Sequence, residues 1–91
     1  MDTEFTSRLL KNLKLNWEVV ENKKIKHEFK FKDFDEAIEF VNKVAKISEE
    51  QNHHPNIHIY YNRVVIDLTT HSIKGLSEND FILADKIENL I

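Results

Sequence analysis

Ninety-one residues, a net charge of −3 and no cysteine already exclude most functions. The length bounds a single domain, and 41% hydrophobic against 32% charged residues is the mix of a soluble globular chain. Without cysteine there is no disulfide framework, Cys-ligated zinc module or thiol chemistry, and the acidic balance argues against direct nucleic-acid binding, which lysine and arginine drive by neutralising phosphates.

In chain order, Phe5, Leu9 and Leu13 recur at helical spacing with Leu10 beside them, which predicts a short amphipathic helix over 4–13 with Thr3 as N-cap. Leu15 to Val20 reads as a strand of mixed pattern, and Glu21-Asn22-Lys23-Lys24 as a turn. Ile25, His27, Phe29 and Phe31 then alternate with Lys26, Glu28, Lys30 and Lys32, the period of a half-buried strand. The period changes next. Phe34, Ala37, Ile38, Val41, Val44, Ala45 and Ser48 keep one helical face, with Asp33 and Glu36 as a capping box and an end near Gln51 or Asn52, before Pro55. Ile57–Tyr60, a turn at Tyr61-Asn62-Arg63 and Val64–Thr70 make a second hairpin. Gly75 marks a loop, Ser77 with Asp80 caps a final helix, and Leu83, Ala84, Ile87 and Ile91 are its buried stripe. The order α-β-β-α-β-β-α predicts an α+β domain spanning 1–91, a four-stranded antiparallel sheet with three helices on one face. The N-terminus has an acid where a secretory signal wants basic charge, and no apolar run is long enough for a membrane span, so a cytoplasmic chain without membrane contact is expected.

Three of the five histidines fall where this architecture converges. His53 and His54 stand at the end of the long helix, and His71 where the fourth strand ends. Imidazole gives and takes protons near neutrality, so two or three around one pocket suit proton transfer. A His-His pair before a proline, taken alone, is more often a solvated helix end. Glu49, four residues before His53, adds a carboxylate that would share its helical face and fix its tautomer. A metal site built from His53, His54, His58 and His71 is the third alternative, but no HExxH-type spacing is present. His27 reads as a packed or rim histidine, and His58 as a strand residue without chemistry. Lys23, Lys24, Lys26, Lys30 and Lys32 read as a solvated strand face, and Trp17 as a core or subunit-contact ring.

At these residues the chain resembles the pterin-4a-carbinolamine dehydratase family, from about Trp17 to the C-terminus. The resemblance is carried by Phe29-Lys30-Phe31-Lys32-Asp33-Phe34, Glu36-Ala37 with Phe40, Glu49-x-x-x-His53-His54-Pro55, Tyr61-Asn62-x-Val64, Thr70-His71 and Gly75-Leu76-Ser77-x-x-Asp80. It implies the same fold and the dehydration of 4a-hydroxytetrahydropterin to quinonoid dihydropterin and water, in tetrahydrobiopterin recycling. By the family pattern His53 and His71 are the acid/base pair, His54 holds and polarises the pterin, and Glu49 orients His53. Substrate contacts carried over by position are His53, His54 and Pro55 on one side and Thr70, His71, Ser72 and Ile73 on the other. Asp80 matches a motif position with no role beyond the final helix's first turn, and Ile57 stands where the family often has an aromatic. The resemblance implies no metal and no organic cofactor, and it points to a homodimer or homotetramer. Some family members also serve as the dimerisation partner of a transcription factor, which makes a non-catalytic regulatory protein-binding module the alternative reading.

Overall fold

A computed structural model describes residues 1–91. Helix α1 (Thr3–Lys11) leads into the hairpin of β1 (Glu18–Val20) and β2 (Lys24–Lys30). Helix α2 (Phe34–Gln51) carries the chain to the hairpin of β3 (Asn56–Tyr60) and β4 (Arg63–Leu68). One 3₁₀ turn (His71–Ile73) precedes α3 (Glu78–Glu88). The expected α+β architecture is therefore present. Strand order is β1-β2-β4-β3, all antiparallel, so β2 and β4 lie side by side in the centre with Ile25 opposite Leu68 and Phe29 opposite Val64.

The hairpin turns use left-handed backbone without glycine. Glu21 and Asn22 both have positive φ (53° and 56°), the combination that lets a tight turn follow the strands' own twist. Between β3 and β4 two residues suffice, with Tyr61 at φ 49°. This conformation is uncommon for an aromatic side chain, and the Tyr61 ring is tied down by stacking on Phe34 at 6.5 Å.

Alternation places Ile25 and Phe29 of β2 and Val64, Ile66 and Leu68 of β4 on one face. Ala37, Phe40 and Val44 of α2 and Phe81, Leu83, Ala84 and Ile87 of α3 close over them. Each large side chain taken fully out of water contributes about 1.5–3 kcal/mol, so this one layer supplies most of the driving force. His27 packs at the layer's rim between the rings of Trp17 (5.5 Å) and Phe29 (4.8 Å).

Several local expectations are corrected. Asp2, not Thr3, caps α1, its carboxylate accepting from Phe5 N–H at 2.7 Å. The first strand is three residues rather than six, because Leu15 bends back to pack and its N–H is taken by Glu88. The buried stripe of α2 is Ala37, Phe40, Val44 and Ser48, while Phe34 and Ala45 face outward. Apolar residues cover more than half of that helix's circumference, and the sheet selects which side is used. Ile91 lies beyond α3 and is exposed, and Phe81 is buried in that helix instead.

Candidate active site

Position 52 decides the local geometry. Asn52 takes the left-handed conformation (φ 51°), which ends α2. The His53 N–H then donates back to the Ser48 carbonyl at 3.1 Å. His53 is thus no longer on the helix, and the four-residue spacing from Glu49 no longer puts the two on one face. The expected pairing is exchanged: Glu49 bonds Nε2 of His54, on the exposed side. His53 turns inward to Asp80, its Nε2 2.6 Å from Asp80 Oδ1. Its side chain is 15% exposed and that of Asp80 is completely buried.

Asp80 stands in the first turn of α3 and is more than a cap. Its Oδ2 accepts the Ser77 N–H at 3.0 Å, as the capping motif predicts, and also the Thr70 hydroxyl at 2.9 Å. One carboxylate therefore joins the end of α2, the residue before His71 and the start of α3. Sequence reasoning missed this role. The signal available was that an aspartate in a capping box spends one oxygen on the backbone and leaves the other free for a side chain.

Thr70 closes the strand segment through a bridge with Gly75, and His71 opens the 3₁₀ turn rather than ending the strand. His71, Ser72 and Ile73 are exposed, and Pro55 is half-buried. The His71 ring has no hydrogen-bond partner within the chain, which leaves both ring nitrogens available. Thr70, expected as a substrate contact, turns its hydroxyl to Asp80 and Ser77. The structure therefore brings together His53, Asp80, Thr70 and, next in the chain, His71. His54 and Glu49 form a second pair on the outer side.

His58 lies elsewhere, on the sheet's open face, with Nε2 3.3 Å from the buried Asp67 carboxylate. Asn56 Nδ2 donates to that same carboxylate at 2.8 Å. No three His, Asp or Glu side chains converge as metal ligands would. The hollow between α1 and α3, about 340 Å³ and floored by Leu9, Leu13 and Phe81, lies apart from all three histidines.

The family model for pterin 4 alpha carbinolamine dehydratase matches residues 1–90. The chain belongs to this family. A Saccharolobus solfataricus protein provisionally named a pterin-4-alpha-carbinolamine dehydratase is 46% identical over 87 residues, covering 93% of this chain and 90% of that one. A Legionella pneumophila protein with the same provisional name is 42% identical over 92 residues, covering all of this chain and 81% of the other. A crystal structure of a transcriptional coactivator/pterin dehydratase from Brucella melitensis superposes with a TM-score of 0.92 at 34% identity, over 99% of this chain and 96% of that one. A pterin dehydratase-like protein described as a RuBisCO assembly factor in the alpha-carboxysome shares the fold, with a TM-score of 0.67 at 23% identity over 81% of this chain and 84% of that one. In this chain His53, His54 and His71 stand around the end of α2 and the strand exit that leads to α3. No helix is long and apolar enough to cross a membrane.

Proposed function

We propose that this chain dehydrates 4a-hydroxytetrahydropterins to the quinonoid dihydropterin by histidine acid/base catalysis, without a metal, and that it recycles the pterin in the cytoplasm. Loss of water requires the C4a–O bond to break as the departing hydroxyl gains a proton, while the N5–H proton leaves and C4a=N5 forms. One group must therefore give a proton and another take one on the same ring. His53, held by a buried carboxylate, and His71, whose chain neighbour Thr70 donates to that same carboxylate while its own ring has no partner, are two imidazoles in different environments, and that observation carries the reading. His54, with Glu49 behind it, is suited to holding the polar pterin edge. Stopped-flow assay of 4a-hydroxytetrahydropterin breakdown tests this. Acceleration that persists in EDTA is expected. No acceleration by a folded protein would leave the second reading, a regulatory protein-binding module, for which the Brucella protein's description as a coactivator is the specific support.

Self-association belongs to the same proposal. Edge strand β3 (Asn56–Tyr60) carries no charged residue to discourage pairing, and its own Ile59 is exposed, as are Phe34 and the turn residue Tyr61. A homodimer or homotetramer is expected, so sedimentation at micromolar concentration should give at least twice the 10.8 kDa of one chain. A mass near one chain would contradict it.

A further inference from the structure

The hydrogen bonds behind His53 run in one direction only. Ser77 Oγ and Thr70 Oγ1 are 2.6 Å apart, and Thr70 has a single hydroxyl proton. That proton is committed to Asp80 Oδ2 at 2.9 Å, since a carboxylate can only accept. In the Ser77–Thr70 contact the serine must therefore donate and the threonine accept. Asp80 Oδ2 also takes the Ser77 N–H, so both of its donors come from outside the histidine. The remaining oxygen, Oδ1, faces His53 Nε2 at 2.6 Å, and for that contact to be a hydrogen bond Nε2 must carry the hydrogen. Nδ1 of His53 is left with no partner in the chain.

We infer that Ser77 and Thr70 are positioning residues that lock His53 in its Nε2–H form, so that Nδ1 is the nitrogen that exchanges protons with the substrate. The inference rests on the dehydratase reading for the identity of the reaction, but not for the tautomer. With Nε2–H given to Asp80, neutral His53 presents a lone pair at Nδ1. When Nδ1 gains a proton, the imidazolium formed is already paired with a buried carboxylate, which needs no rearrangement. Removing the Thr70 hydroxyl leaves Asp80 Oδ2 with one donor instead of two, free to rotate and to release its hold on Nε2. Removing the Ser77 hydroxyl frees Thr70 to turn away. Thr70 thus acts through Asp80 and His53 rather than by touching substrate.

Nitrogen-15 correlation spectra of the labelled full chain read which ring nitrogen of each histidine carries the hydrogen, in the absence of substrate. At a pH where His53 is neutral, its signal should be that of the Nε2–H form. Thr70→Val should convert a measurable share to the Nδ1–H form and lower kcat about tenfold, the low end of the effect of a group that orients a catalytic side chain, with KM within about twofold. Ser77→Ala should move both in the same direction by less, and Thr70→Ser should restore both. A native His53 carrying its hydrogen on Nδ1 overturns the inference, and this reading needs no variant to fold. So does a Thr70→Val chain that keeps the native spectrum, or one that raises KM and leaves kcat alone, which would make Thr70 a substrate contact. A protein with the Nε2–H signature and no dehydratase activity would overturn the proposed function and leave the tautomer assignment standing.

Discussion

Replacing His53 or His71 by alanine should slow pterin dehydration by about 10²–10⁴-fold, the range a positioned general acid or base supplies. Because both would act on one bound ring, the double variant should lose less than the product of the two single losses. His54→Ala should raise KM more than it lowers kcat. Glu49→Gln should follow His54 and not His53, since the Glu49 carboxylate is bonded to His54. His27 and His58 are the controls: one is packed between aromatic rings and the other sits on the open sheet face against Asp67. Stopped-flow rates on the six single variants and the double variant decide the matter. If His58→Ala proved as costly as His71→Ala, the division of roles would be wrong.

A large loss of stability is expected at a residue with no part in the chemistry. Glu88 is 5% exposed, and its carboxylate accepts three hydrogen bonds from the segment joining α1 to β1. The donors are Lys14 N–H at 2.9 Å, Leu15 N–H at 2.8 Å and the Trp17 indole N–H at 2.8 Å. Glu88→Ala leaves the buried Trp17 indole N–H and the half-buried Leu15 N–H without partners, while water can reach the exposed Lys14, a cost of about 3 kcal/mol. For a domain of this size that corresponds to a melting temperature lower by on the order of 10–20 °C. Urea unfolding followed by the fluorescence of Trp17, the one tryptophan, measures it directly. A loss below about 1 kcal/mol would place Glu88 among ordinary surface carboxylates.

Much of the fold was legible because periodicity reports which face of an element is buried. The alternation of Ile25, His27 and Phe29 and the shift to helical spacing after Asp33 both carried through. Strand order was not legible, since two hairpins can meet through either edge and nothing local distinguishes them. The candidate site was legible as a set of residues but not as a set of pairs. The spacing rule that joins Glu49 to His53 assumes helix through residue 53, and one left-handed residue at Asn52 cancels it. The link from His53 to Asp80 spans 27 residues, beyond any local pattern. Apolar breadth misled in the same way on α2, where Phe34 and Phe40 are equally good candidates until the sheet takes one side.

The central pairing of β2 with β4 has a consequence for how the chain reaches this state. Each hairpin closes over a short turn and can form on its own within microseconds. Joining them is another matter, because Ile25 must find Leu68 across some 40 intervening residues. As flexible chain, that closure alone would cost about 3 kcal/mol in entropy. Helix α2 removes most of the cost. Its 18 residues, once helical, are a rigid strut of about 27 Å, flanked only by short connections to β2 and β3. The search for register then becomes the swing of two preformed ribbons about the ends of one rod, which places the rate of folding in the helicity of α2 as much as in the strands it brings together.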